Sequence, residues 1–281
     1  MPSTPLFPEI VNNTHPAAAY IGGKRKLAKQ ICRAIDRIEH RGYCEVFMGM
    51  GGVFFRRSRT APVEIINDWS EDVSTFFRIL QRHYVAFLDM LRFQISTRAG
   101  FDKMLRVDPS TQTDLERAAR FLYLQRLSYG GKVAQRNFGV DPYSSSGFDL
   151  SKIAPLLEAI HERMTPVTIE KLTWSDCVEK YDLATTLFYL DPPYYGCEGD
   201  YGADLFDRSQ FAKMAQQLAT IEGKFLLSLN DRPEVRSLFS AFSMYEVSLI
   251  YSIGGGDKSV RASELIISNL PQSELDRVMA D

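Results

Sequence analysis

The tetrapeptide Asp191-Pro192-Pro193-Tyr194 directly follows an apolar run from Thr185 to Leu190, and its residue types suit one chemistry. An amino nitrogen conjugated with an aromatic ring is a poor nucleophile because its lone pair is spread into the ring. Hydrogen-bond acceptors aimed at its two N–H bonds localise that pair as the nitrogen attacks. Asp191 offers a carboxylate acceptor. Pro192 and Pro193 have fixed φ and no N–H, so the peptide between them presents a rigidly aimed carbonyl with no competing donor. Tyr194 adds a flat face on which a planar acceptor can stack. Asp and Pro are also common turn residues, so the same four residues equally make an ordinary strand-terminating turn.

Two further groupings could hold a second reactant. Glu45-Val46-Phe47-Met48-Gly49-Met50-Gly51-Gly52 follows an apolar run and has glycines where a ligand could approach the backbone closely. The dinucleotide fingerprint needs a third glycine where this chain has Phe54, which argues against a nicotinamide or flavin site. Asp68 closes the next apolar run, a place from which a carboxylate accepts both hydroxyls of a ribose. Alternatively Asp68 or Ser70 caps the helix that follows. Tyr20-Ile21-Gly22-Gly23-Lys24 offers a tight backbone approach, an aromatic wall and a cation, without the spacing of a Walker A loop. By itself it is equally a turn with a solvated lysine.

The elements that must position these residues read as an alternating strand and helix series. Lys24 to Ile38 has the apolar spacing of an amphipathic helix, Tyr43 to Met48 reads as a buried strand, and Val63 to Asn67 as a second. After a break come strands at Val167 to Leu172, Thr185 to Leu190, Lys224 to Leu229, Tyr245 to Tyr251 and Ala262 to Asn269. Helices fall around Ser209 to Thr220 and Arg232 to Phe239. Such alternation predicts a parallel sheet, whose strand ends at the carboxyl side are where ligands bind. The Gly254-Gly255-Gly256 connection is too short for a crossover and predicts an antiparallel last pair. In the break, Phe76 to Phe93 and Leu115 to Tyr129 read as helices and Lys132 to Gly147 as a polar loop or hairpin, which makes residues 70–164 a candidate insertion.

Composition narrows the class. With 281 residues, 45% of them hydrophobic and 24% charged, the chain has the material for one large globular domain with a smaller insertion. No apolar run reaches the roughly 18 residues of a membrane span, and the first residues lack a secretion signal, so a cytoplasmic protein is expected. The four cysteines are scattered and have no histidine at metal-ligand spacing, which predicts buried thiols and no metal site. The formal net charge of −2 gives no global sign of a nucleic-acid partner. Between Arg78 and Arg136, however, eleven Lys or Arg face five Asp or Glu. Such a basic island is either a solvated helical face or a surface for phosphates.

Taken as an ordered set, G-G-K, F-x-G-x-G, the second-strand Asp, an insertion and D-P-P-Y resemble the D12 class of DNA adenine methyltransferases, in its α-group order, from Tyr20 to about Asn269. Phe121 to Arg126 is similar to that family's helix leading into a DNA-reading hairpin, and Glu264 to Asn269 to its terminal strand. Trp174 to Cys177 resembles the segment lining the adenosine pocket, and Ser228 to Asp231 the one after the fifth strand. The resemblance implies a Rossmann-like α/β methyltransferase sheet of seven strands with an antiparallel last hairpin. It implies a catalytic domain of residues 1–69 and 165–281 and an inserted target-recognition domain of residues 70–164. It implies transfer of a methyl group from S-adenosyl-L-methionine to N6 of a flipped-out adenine in double-stranded DNA. The same comparison makes Tyr20, Ile21, Gly23, Lys24, Phe47, Gly49, Gly51, Asp68, Asp176, Cys177 and Asp191 cofactor contacts. Asp191, Pro192, Pro193 and Tyr194 become the catalytic element, and a monomer or weak dimer is expected.

One departure concerns base reading. Where the family has F/Y-N-G-L-x-R and then F-N-V-P-[FY]-G, this chain runs from Tyr129 through Gly130, Gly131, Lys132, Ala134 and Arg136 to Asn137 and Val140. The aromatic residue is kept, but Ala134 stands at the arginine position. The expectation is a short or relaxed target. Tyr129 would help hold the duplex open, and Arg126, Lys132, Arg136 and Asn137 would meet the DNA, with Lys132 and Arg136 mostly on phosphate. Alternatively Arg136 reads guanine from a shifted hairpin. The same motifs would also serve N4 of cytosine, RNA or a protein amide, or survive in an inactive DNA-binding protein.

Overall fold

The computed structural model describes residues 10–11, 13–20, 24, 27–139, 146–198, 206–252 and 259–280, with backbone alone for 249–252 and 259–262. Seven strands form one sheet: β1 (Gly42–Glu45), β2 (Val63–Asn67), β3 (Thr168–Glu170), β4 (Thr186–Leu190), β5 (Lys224–Asn230), β6 (Ser243–Ser252) and β7 (Ser259–Ser268). Their order is β3-β2-β1-β4-β5-β7-β6. The first five strands in that order are mutually parallel, and β7 runs antiparallel to both β5 and β6. The expected antiparallel last pair is therefore present, while the glycines of its connection lie outside the described residues. The chain winds outward from β1 to β3 and then returns to place β4 on the other side of β1. Between β1 and β4 the winding reverses, which opens a crevice at their carboxyl ends.

Alternation within the strands separates two apolar faces. Tyr43, Ile66, Leu187, Tyr189, Leu226 and Ile266 enter one core, while Cys44, Ile65, Phe188, Leu190, Phe225, Leu227, Leu265 and Ile267 enter the other. Neighbouring residues of each strand point to opposite faces, so a sheet covered on both sides needs apolar residues at both parities. Every residue of β4 is buried. The second face is covered by α7 (Trp174–Tyr181), α8 (Ser209–Leu218) and α9 (Pro233–Leu238). The first is covered by α1 (Ala28–Arg37), α10 (Gln272–Met279) and the helices of the expected insertion, whose apolar residues continue that core without a gap.

Those helices are α2 (Glu71–Arg82), α3 (Tyr84–Leu91), α4 (Arg98–Arg106), α5 (Asp114–Leu127) and α6 (Leu150–Met164). The single helix expected from Phe76 to Phe93 is two, broken at His83, whose φ of −128° and ψ of 35° are not helical. The break lets α2 bury Val73, Phe76 and Leu80 while α3 turns to bury Phe87 and Leu91. Helix α5 begins with a reciprocal cap, in which Thr113 N–H donates to Glu116 Oε2 at 2.9 Å and Thr113 Oγ1 accepts from Glu116 N–H at 3.4 Å. Helix α6, for which the sequence reading names no element, carries Pro155 and buries Ile153, Leu157 and Ile160 behind the Asp149 cap.

Several of the eleven cations in the basic island are engaged by other parts of the protein, Arg92 with Asp89 at 3.8 Å among them. Arg78 meets Asp114 at 2.8 Å and Arg117 meets Asp72 at 2.6 Å, while Arg120 donates to the Met104 carbonyl at 2.7 Å. Arg126 and Arg136 are held as described below. Among the described residues no helix is long and apolar enough to cross a membrane.

Candidate active site

The loops after β1, β2 and β3 are tied together by one side chain. Asn67 Nδ2 donates to the carbonyls of Val46 at 3.0 Å and Leu172 at 3.2 Å, and its Oδ1 accepts from Leu172 N–H at 2.8 Å. The next residue, Asp68, spans the crevice edge: its Oδ2 accepts from Gly49 N–H at 2.8 Å and its Oδ1 from Ser70 N–H at 2.9 Å. Burial pushes the Asp68 carboxyl up to about 6, against the opposing pull of those two amides. Asp68 thus steadies the chain before α2 and lines the cavity, but neither it nor Ser70 gives that helix a side-chain cap. Gly49 has a φ of +50°, and a Cβ there would lie 3.0 Å from the Tyr20 ring. Gly51, at φ +75°, would place a Cβ 2.4 Å from Phe55. Glycine is required at both positions, by backbone conformation and by the close approach.

A second set of bonds fixes the loop after β4. Ser228, on the neighbouring strand β5, donates to Asp191 Oδ1 at 2.9 Å. Two residues along β5, Asn230 holds Tyr195 from both sides, accepting from its N–H at 2.9 Å and donating to its carbonyl at 3.0 Å. Residues two apart on a strand share a face, so one edge of β5 clamps both ends of the Asp191 to Tyr195 loop. Pro192 and Pro193 are buried between the clamps.

Lys24 enters this site from the segment before α1. Its ammonium lies 2.9 Å from Asp191 Oδ1 and 3.3 Å from Glu264 Oε2, and donates to the Tyr194 hydroxyl at 2.5 Å. It also sits 4.2 Å from the centre of the Tyr194 ring. Lys24 is 4% exposed, so this is a buried ammonium with acceptors around it and not a solvated lysine. Glu264 is in β7 opposite Asn230 of β5, which explains how a residue near the end of the chain reaches the site. Burial pushes the Asp191 carboxyl above the usual range; Lys24 and Ser228 pull it down, and the charge of Glu264 adds to the rise. Glu45, at the end of β1, accepts from Tyr43 O–H at 2.7 Å, and burial raises its carboxyl to about 8.

These groups surround a cavity of about 710 Å³, within the range of small-molecule sites. Its wall includes Tyr20, Lys24, Glu45, Phe47, Gly49, Asp68, Asp191 and Pro193, together with the aromatic rings of Trp69, Trp174 and Phe206. Ile21 and Gly23 lie outside the described residues. Asp176 and Cys177 do not reach the cavity. Asp176 is exposed on α7, and Cys177 is turned into the core with its sulfur 3.6 Å from that of Cys44. The helix phase presents Trp174 instead, its Nε1 anchored on Gln210 at 3.0 Å. Phe206, packed edge-on to Phe47 with ring centres 5.9 Å apart, had no signal in the sequence.

Of the expected loop or hairpin from Lys132 to Gly147, residues 140–145 lie outside the described residues, and the part before them is a loop closed by a single bridge close to the site. Ser128 and Phe138 form an antiparallel bridge, Tyr129 N–H donates to the Asn137 carbonyl at 2.9 Å, and Gly139 N–H donates to that of Leu127 at 2.8 Å. Tyr129 is 70% exposed, and Lys132 and Asn137 are exposed as well. The two arginines assigned to DNA have other tasks. Arg126 donates to the carbonyls of Gly147 at 2.7 Å and Ala17 at 2.9 Å. Arg136 donates to Gln125 Oε1 and to the Lys132 carbonyl, each at 3.2 Å. Gln125 in turn donates to the carbonyls of Ala19 at 2.8 Å and Gly131 at 2.7 Å, joining the hairpin to the segment that carries Tyr20.

Known proteins with related sequences share this arrangement's chemistry in name. The Type II methyltransferase M.CviBI of Paramecium bursaria Chlorella virus NC1A is 18% identical over 81% of this chain and 89% of its own length. The Retron Ec67 DNA adenine methylase of Escherichia coli is 26% identical over 73% of this chain and 75% of its own. The DNA N-6-adenine-methyltransferase of Escherichia phage P1 is 29% identical over 78% of this chain, which spans 30% of that longer protein. Residues 20–253 match the family as a whole, beginning at the tyrosine beside Gly49 and running through Asp191 and its clamps. The chain belongs to the D12 class N6 adenine-specific DNA methyltransferase family.

Proposed function

We propose that this chain transfers a methyl group from S-adenosyl-L-methionine to N6 of an adenine rotated out of double-stranded DNA. The observation that carries the reading is the cavity at the reversal between β1 and β4, into which Asp191 faces from a loop clamped at both ends. Its walls suit the methyl donor. Phe47, Trp174 and Phe206 offer apolar faces for a purine, Asp68 offers acceptors for ribose hydroxyls, and Asp191 is a carboxylate beside a ligand carrying cationic groups. When bound, the donor supplies an activated methyl group on a sulfonium, so the protein's own task is positioning and lone-pair localisation.

Asp191 performs the localisation. Lys24 and Ser228 both hold its Oδ1, which leaves Oδ2 to accept from the amino group of the target base. The rigid proline pair supplies the second acceptor, and the Tyr194 ring the stacking surface. Residues 70–164 form the DNA-engaging unit, with the exposed Tyr129 beside the opened base and Lys132 on the phosphates. Acting on duplex DNA, the chain is expected to work in the cytoplasm as a monomer or weak dimer. Incubation with labelled S-adenosyl-L-methionine and a mixed-sequence duplex, followed by digestion to nucleosides, tests the reading. Label in N6-methyladenine is the expected result; label in N4-methylcytosine, or none in DNA, would overturn it.

A further inference from the structure

Lys24 sets a problem at the site just described. An acceptor that localises an amine lone pair works through its negative charge, yet a buried ammonium 2.9 Å from Asp191 Oδ1 neutralises that charge. As the amine takes the methyl group, its lone pair becomes the new N–C bond and the donor sulfur keeps the S–C electron pair. Positive charge then rests on the nitrogen until its extra proton leaves to solvent. A fully neutralised Asp191 is a poor partner for that change.

Glu264 answers it. Its Oε2 stands 3.3 Å from the same ammonium, and the side chains of Lys24 and Glu264 are 2% and 3% exposed. Asp191 and the Tyr194 hydroxyl accept hydrogen bonds from the ammonium, while Glu264 Oε2 pairs with it by charge, without a hydrogen bond. Lys24 is thereby shared between two carboxylates and aimed, so Asp191 is not its sole counter-ion. We propose that Glu264 is a positioning residue for methyl transfer, which acts through Lys24 to fix the ammonium and preserve the acceptor strength of Asp191. The inference rests on the reading of Asp191 as the amine acceptor. The sequence marks Glu264 only as the start of a segment like the family's terminal strand and gives it no role, since its place beside Lys24 depends on β7 lying beside β5.

The test is a double-mutant cycle between Lys24→Gln and Glu264→Gln, with Asp191→Asn as control and full-length protein throughout. Glu264→Gln should lower kcat by about tenfold or more, the scale of losing one preorganised electrostatic partner, with KM for donor and DNA changed by less than about threefold. On the Lys24→Gln background the same change should cost nothing further, because the effect travels through Lys24. The pH profile separates this role from simple structural support. The groups facing Asp191 are Lys24, Glu264, Glu45, Ser228, Tyr189 and Tyr194, and among them the charge of Glu264 pushes the Asp191 carboxyl up. Removing that charge should move the acid limb of kcat to lower pH.

Wild-type kcat in Glu264→Gln, an unmoved acid limb, or equal losses on both backgrounds would overturn the proposal. Activity in Asp191→Asn would instead overturn the reading of the site on which it rests. If thermal unfolding shows Glu264→Gln to be unstable, Glu264→Asp keeps the charge and shortens its reach. A several-fold lower kcat with the acid limb in place is then expected, and wild-type kcat would overturn the proposal.

Discussion

The carboxyl end of the sheet and the hairpin at residues 128–138 are both built from polar and charged residues, but they are built differently. At the sheet, Lys24, Asp191, Glu264, Ser228 and Tyr194 hold one another in a buried network. At the hairpin, Gln125, Arg126 and Arg136 bond inward to the scaffold, while Tyr129, Lys132 and Asn137 are left to solvent. Removing one partner of a buried ion pair costs about 3–5 kcal/mol because an uncompensated charge stays behind, whereas an exposed pair contributes about 0–1. The lesson is that chemistry is preorganised in the first region, and contact with a variable partner is left to a few exposed groups in the second. Cations counted along the sequence overstate the DNA-facing surface, because arginines serve as struts as readily as phosphate contacts.

The comparison would break most sharply at Asp191. Asp191→Ala removes the proposed amine acceptor and a counter-ion of Lys24 together, and should lower kcat by about a hundredfold or more with DNA affinity within about threefold. Single-turnover methylation beside a DNA-binding titration checks this; a kcat within tenfold of wild type would count against the assigned role.

Asp68→Ala should weaken donor binding by about 1–3 kcal/mol, measurable by calorimetry, with a smaller effect on DNA. The pH dependence gives a second handle. Asp68 can accept with both oxygens only when ionised, because protonation turns one of them into a donor, and burial has raised its carboxyl to about 6. Donor affinity should therefore be full well above pH 6 and fall as pH drops through that value. In Asp68→Asn the dependence should be lost.

Tyr194 sharpens the contrast, because the sequence suggests that only its ring matters. Its hydroxyl accepts from the buried Lys24, so Tyr194→Phe should cost about tenfold in kcat, the scale of a hydrogen bond to a charged group. Tyr194→Ala should be worse. A Tyr194→Phe enzyme as fast as wild type would show that stacking is the residue's whole contribution.

The smallest effects belong to the hairpin. Lys132→Ala should leave kcat and thermal stability unchanged and reduce the salt slope of DNA binding by about one. Arg136→Ala should lower thermal stability by about 1 kcal/mol through the lost Gln125 contact, and leave the methylated sequence contexts unchanged. A salt titration of DNA binding checks the first, and thermal unfolding with mapping of methylated adenines on a mixed-sequence duplex checks the second. Loss of a fixed guanine from the target in Arg136→Ala would mean that this arginine leaves its strut in the complex and reads the base.

Short-range interactions made much of this legible from residue order alone. The D-P-P-Y loop after an apolar strand, the glycine demanded at 51 and the Thr113 to Glu116 cap all depend on residues a few positions apart. The two-faced alternation of the strands is equally local, and so the parallel sheet with its antiparallel last pair could be read before any contact was known. What the tertiary structure alone decided were choices between faces and between distant partners. Helix phase turned Trp174 into the cavity and Cys177 into the core, and the break at His83 let α2 and α3 bury separate faces. The meeting of Lys24 with Asp191 and Glu264 required β4, β5 and β7 to lie side by side in that order. No local pattern encodes which strands become neighbours, because that choice is made by burying all the apolar faces at once.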